Sequence, residues 1–232
     1  MKLFSRHSFA LCSLIVPVWA NATLPLPQPI EVQEAIGRTL DTIEIPIPDT
    51  DDRKARTAYL IQKSSIESVR SAEVLQISGC VSEGSQKINC IIQMDYGTGI
   101  IPYISVPLEY KNNQWEAPIF ATIMDQEPDW RLPVPAPTLE QAQKVAKQFA
   151  EKETDEDSKL LASGLIKIVS LKQDCQLDKH DGTVSCESKI SRRETKEQQE
   201  VTTELMIEFH LKGSEWQFGR APRTEKGDTP DN

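Results

Sequence analysis

No run of apolar residues in the chain approaches the ~20 that a bilayer-crossing helix needs; the longest mostly apolar stretch, Phe9 to Val18, is about half that length. No membrane insertion is expected. Histidine is scarce, with three in 232 residues, and none has a second ligand at helical or Cys-x-x-Cys spacing, which argues against zinc. Neither a G-x-S-x-G elbow nor an H-E-x-x-H pair occurs, so the serine-hydrolase and zincin constellations lack their central groups. Asp95-Tyr96-Gly97-Thr98-Gly99 lacks the third glycine and the following helix start of a phosphate-cradling loop, and reads as a hairpin turn. Asp49, Asp51 and Asp52 lack the sixth-position glycine and distal glutamate of a calcium loop. They read as the acidic start of a helix, where negative charge meets the positive dipole end. No metal and no cofactor is expected.

What the chain does carry begins with Lys2 and Arg6, the apolar run and the small residues Ala20-Asn21-Ala22. That is the layout of a secretory signal, expected at residues 1–22, with Ala20 an alternative cut. Removing it lowers the 26 basic side chains by Lys2 and Arg6 to 24 against 35 acidic ones, a net charge of −11. Such a balance opposes nucleic acid and favours a basic or uncharged protein partner. The expected location is periplasmic or secreted.

Cleavage would also remove Cys12, leaving Cys80, Cys90, Cys175 and Cys186, an even set in an oxidising compartment. Four cysteines allow three pairings, and spacing alone selects none. Each close pair, however, brackets a polar, glycine-containing centre flanked by β-prone residues, as in a hairpin. Cysteines facing each other across antiparallel strands lie within disulfide reach. The context favours Cys80 with Cys90 and Cys175 with Cys186.

The two pairs belong to a longer internal correspondence. Cys80 to Cys175 is 95 residues, Cys90 to Cys186 is 96, and Trp115 to Trp216 is 101. Ile45-Pro46-Ile47-Pro48 and Leu132-Pro133-Val134-Pro135 precede them in the same order. After each proline segment comes a helical stretch. In the first, Ala55, Ala58, Ile61 or Gln62, Ile66, Val69 and Ala72 recur at helical spacing. In the second, Thr138-Leu139-Glu140-Gln141 forms a capping box before the stripe Leu139, Ala142, Val145, Ala146, Phe149 and Ala150. The charged run Glu151 to Asp157 then interrupts it. A weaker helix, Pro29 to Leu40, precedes the first copy. Farther along, Ile104, Val106 and Leu108, and then Leu205, Ile207, Phe209 and Leu211, alternate with their neighbours at the period of a strand with one wet face.

The expected fold is α+β, with two tandem modules, each a long helix packed on a three- to four-stranded antiparallel sheet with a hairpin disulfide. In element order this looks like the cystatin-like or NTF2-like small domains. No motif accompanies the resemblance, so it implies a layout and assigns no functional residue. The expected division is a signal at 1–22, a Pro-rich segment and short helix at 23–44, a first module at 45–126, a Pro-rich linker at 127–137, a second module at 138–220 and a disordered tail at 221–232.

Trp115 and Trp216 are expected to pack on their own helices. Trp130, in the linker, is the candidate partner contact. His180 falls in a turn and His210 on a wet strand face. The functional expectation is a non-catalytic binding or adaptor protein of the bacterial cell envelope, acting through protein contacts, with an immunity or a secretion or assembly role. The alternative is a small-ligand carrier or hydrolase using a helix-over-sheet cleft, with Glu204, Glu208 or Glu109 as acid-base candidates.

Overall fold

The computed structural model describes residues 24–48, 52–118, 133–193, 195 and 199–219. The expected signal segment, Trp130, most of the linker and the tail lie outside them.

Helix α1 (Pro29–Asp41) starts at Gln28, whose side chain forms a capping box with Glu31, and Pro29 supplies a preset φ at the first turn. Val32, Ala35, Ile36 and Leu40 are all fully buried on one face. Helix α2 (Arg53–Ser71), capped by Asp52 accepting from the Lys54 amide at 2.8 Å, buries only Ile66. Four strands follow: β1 (Glu73–Ser82), β2 (Lys87–Asp95), β3 (Tyr103–Lys111) and β4 (Gln114–Glu116). They pair antiparallel in sequence order. Asn112 and Asn113, with φ of 51° and 63°, make the tight turn between β3 and β4, a conformation asparagine tolerates.

Helix α3 (Leu139–Ala150) carries the Thr138–Gln141 capping box and buries Ala142, Ala146 and Ala150. The acidic run ends it, and Asp155 caps the short α4 (Glu156–Ser163), which stops at Gly164. The second sheet comprises β5 (Ile166–Leu171), β6 (Gln176–Leu177), β7 (Val184–Arg192), β8 (Val201–Lys212) and β9 (Glu215–Phe218), in the order β5-β7-β8-β9 with β6 also paired to β7. Among the described residues the chain is thus α+β, with four helices and two antiparallel sheets.

The helices meet the sheets unevenly. Helix α3 contacts β5 and β9, whereas on the first sheet it is α1 that touches β1 and β4. The longer α2, expected as the covering helix, contacts α1 and leaves Leu60 and Ile61 61% and 63% exposed. Two side chains explain the choice of α1. Gln33 donates to the Ala72 carbonyl at 2.8 Å and accepts from the Val74 amide at 2.7 Å, so it extends the ladder at the start of β1. Arg38 donates to the Trp115 carbonyl at 2.7 Å and ties the helix to β4. In α2, Gln62 rather than Ile61 lies on the partly covered side.

Strand β2 is buried almost throughout, because it serves two cores. Ile88, Cys90, Ile92 and Met94 join Val106, Leu108 and Trp115 in the core beneath α1. Ile91, on the opposite face, belongs to a second core with Ala142, Ala146, Val184, Ile207 and Phe209, against which Val81 and Tyr103 also pack. On that face the fully buried Asn89 donates to the Pro133 carbonyl at 2.8 Å, and Ser105 bonds both Asn89 and the same carbonyl. The Pro133–Pro137 segment is therefore docked, with Val134 and Ala136 packed on the second core.

The sheets also meet through backbone. In β1 the register skips at Ser78, between Ile77 opposite Ile92 and Gly79 opposite Ile91. The skipped residue is free of the ladder, and its carbonyl accepts from the Gly213 amide at 2.8 Å. One step on, the Cys80 amide donates to the Gly213 carbonyl at 2.7 Å. The turn between β8 and β9 thus docks on the outer edge of β1. Gly79 is the residue that lets it approach: a Cβ there would lie 2.5 Å from the Gly213 oxygen and 2.7 Å from Leu211 Cγ.

Gly79→Ala is expected to cost ~1–3 kcal/mol, as for other forced contacts in packed regions, and to lower the melting temperature in calorimetry. Gly37→Ala, with nothing within 4 Å of the new Cβ and a helical position, should instead be neutral or stabilising by about 0.5–1 kcal/mol in the same assay.

Candidate functional site

Cys80, Cys90, Cys175 and Cys186 sit where β-hairpins bring them opposite. Cys80 and Cys90 are register partners in β1 and β2 and are bonded, with Cα atoms 4.0 Å apart. Cys175, just before β6, is bonded to Cys186 in β7 across 4.4 Å. All four are buried. They are thus structural and leave no exposed thiol among them. The turn closed by the second disulfide carries His180, exposed, with its amide donating to Asp178 at 2.7 Å. The Asp181 carboxylate is held below its ordinary pKa first by the Thr183 side-chain hydroxyl and then by the Thr183 amide, which donates to it at 2.9 Å, with His210 adding a smaller electrostatic contribution. His210 and this turn are therefore neighbours. Among the described residues no group of three or more His, Cys, Asp or Glu side chains is placed to hold a metal ion.

Strand alternation builds the other notable surface. In β8, Ile207, Phe209 and Leu211 point into the second core, while Glu204, Met206, Glu208 and His210 are exposed. The neighbouring β7 places Glu187 opposite Met206 and Lys189 opposite Glu204. Lys189 pairs with Glu204 at 3.1 Å and Lys172 with Glu187 at 2.6 Å. At the far end of the same hairpin Arg193 pairs with Glu200. Bonding to Glu187 raises the Lys172 pKa, and Glu200 is held low by its Ser191 and Arg193 partners. Solvent screens such exposed pairs, so each adds little to stability. The ladder therefore sets the charge pattern of the face more than it holds the sheet. Met206 and Val169, 42% and 41% exposed, and Val201, 62% exposed at the end of β8, add apolar area to this sheet.

The acid-base candidates do not converge. Glu204 and Glu208 stand on the exposed face of β8, whereas Glu109 lies in β3 of the other sheet. Glu109 is clamped between Lys111 and Lys87, the latter at 2.8 Å, and these partners hold its carboxyl below its ordinary value. Trp115 and Trp216 are buried; Trp115 lies 4.9 Å from Tyr110 and Trp216 6.3 Å from Phe209, ring centre to ring centre. The Trp216 Nε1 is buried without a hydrogen-bond partner. Trp130 falls outside the described residues. Asp95 accepts from the Gly97 amide at 2.7 Å, an ordinary Asx turn leading into the exposed Ile100 and Ile101.

Sequence patterning did not single out Asn89, Ser105, Gly79 or Gly213, the residues that join the sheets. One trace of them was visible. Ile88-Asn89-Cys90-Ile91-Ile92 is apolar at both parities, which an outer strand with one wet face would not be.

No family model, curated protein or solved structure matches the chain.

The Glu109 clamp has a defined pH signature. Its carboxyl titrates lower in the folded chain than the ordinary value of 4.5, so its stabilisation is fully present above that value and is lost as pH falls through the folded pKa. Glu109→Gln should lower the denaturation midpoint at pH 7. The gap to the parent should close as the pH is taken down through the lowered pKa of Glu109, read by urea titration at each pH.

Proposed function

We propose that the chain is an exported, non-catalytic binding or adaptor protein of the bacterial cell envelope, and that its partner seats on the exposed face of β7 and β8. One observation carries the reading. The exposed side chains of this face mix the Lys189–Glu204 and Lys172–Glu187 ion pairs with Met206, 42% exposed. Such a mixture suits reversible protein contact, where charge pattern selects the partner and apolar area adds affinity. Two disulfides accord with an oxidising compartment. Among the described residues no helix is long and apolar enough to cross a membrane.

The same proposal takes the chain as two copies of one module. Support comes from matching devices in the two sheets. In this reading the first copy begins at α1, ahead of the 45–126 bounds expected from sequence, and a helix glutamine grips the first strand in each: Gln33 at β1, and Gln143, which donates to the Ile168 carbonyl at 2.7 Å, at β5. Both first strands carry a register skip, and both last strands carry a buried tryptophan, Trp115 and Trp216. Duplication of a small sheet, with one copy covering a face of the other, leaves the second copy's outer face for a partner.

The test is affinity capture from envelope extract with the parent chain and a Met206→Glu/Glu208→Lys variant. Both positions are exposed, so the variant should keep its unfolding free energy within the range of ordinary surface changes, roughly ±0.5 kcal/mol. Loss of a saturable, salt-resistant partner in the variant alone is the expected result. Retention of every captured protein by the variant sinks the face as the contact surface.

A further inference from the structure

We infer that the two disulfides are clamps on the junction between the sheets, so that their reduction undocks the sheets before it unfolds either one. The two bonds lie in the two hairpins that supply the junction's backbone contacts.

In the first hairpin, the Cys80 amide is itself a junction donor, to the Gly213 carbonyl, and Ser78, two residues earlier, is the acceptor of the Gly213 amide. Two register skips precede Cys80, after Val74 and after Ile77. Ladder pairing therefore fixes this part of β1 weakly, since each skip interrupts it. The bond to Cys90 pins the register just beyond the second skip. A slip of one residue would turn every following side chain to the opposite face and carry the Ser78 carbonyl away from Gly213. On the other strand, Cys90 sits between Asn89, which holds Pro133, and Ile91, which enters the second core.

In the second hairpin, β6 is only two residues long, Gln176–Leu177. The excursion from Cys175 to Thr183 is otherwise held by local turn bonds, the Asp178 amide to Thr183 and the Gly182 amide to Asp178. Its tip makes the other backbone contact, the Tyr103 amide donating to the Lys179 carbonyl at 2.9 Å. Gly182, at φ 76°, lies against the Tyr103 ring so closely that a Cβ would come within 2.8 Å of it. The Cys175–Cys186 bond anchors the base of this excursion.

The sheets themselves depend less on either bond. β2 and β3, and β7 and β8, are paired in unbroken register over seven and nine residue pairs. Reduction by an added dithiol breaks each Sγ–Sγ bond. Two electrons and two protons pass to the protein, leaving two thiols, and the dithiol closes to its own cyclic disulfide. Exposures of 0–6% at the four cysteines mean that reduction proceeds through opened forms, so it is driven to completion before anything is read.

The experiment is amide hydrogen exchange by NMR on the full exported chain, oxidised and then fully reduced with dithiothreitol. Exchange at the Cys80, Gly213 and Tyr103 amides should accelerate at least tenfold on reduction. The Val106 and Ile207 amides, in the intact parts of the two sheets, should change less than threefold. A Cys175→Ala/Cys186→Ala variant should release Tyr103 but not Gly213. Unchanged protection at the three junction amides would falsify the clamp role. So would loss of Val106 and Ile207 protection in step with the junction, because the bonds would then be holding the sheets themselves. The reduced parent chain decides the matter even where the variant does not fold.

Discussion

Strand β2 has to satisfy two cores at once, and much of the rest is arranged around that demand. Its even-numbered side chains from Ile88 to Met94 lie under α1, while Asn89 and Ile91 face the second sheet. A strand buried on both faces cannot place an unpaired polar group on either without a cost of ~1–3 kcal/mol. Asn89 meets this by donating to Pro133 and accepting from Ser105. The polar group that the strand buries is thereby turned into the anchor of the chain segment that leads into α3. Covering the second face of the first sheet and attaching the second sheet are the same event.

The helices divide along similar lines. α1 grips backbone through Gln33 and Arg38 and buries four aliphatic or alanine side chains. α2 is longer yet buries one. Length alone favours α2 as the covering helix, but the position closest to the sheet goes to α1, the more apolar helix and the one with side-chain bonds to the sheet. Propensity and periodicity say that a helix forms; they do not say what lies under it.

The start of α1, the α3 capping box, the alternation of β8 and the hairpin placement of the cysteines could all be read from local pattern. Each depends on neighbours within about a dozen residues, where spacing and turn chemistry carry the information. The junction could not be read this way. Gly79 and Gly213 meet across 134 positions of sequence, and a glycine gives no pattern from which its close neighbour can be inferred. The skip at Ser78 is likewise invisible, since Leu75-Gln76-Ile77-Ser78 reads as continuous strand. The outer face of β8 was legible as wet, but its ion pairs depend on the register with β7, which local pattern does not set.

The parallel contact of the β8–β9 turn on β1 also bears on how the chain can vary in length. A turn whose amide and carbonyl are both engaged by another strand cannot gain or lose a residue without moving both bonds. In related chains the stretch from Leu211 to Trp216 should therefore keep a fixed count, held by a distant strand rather than by its own fold.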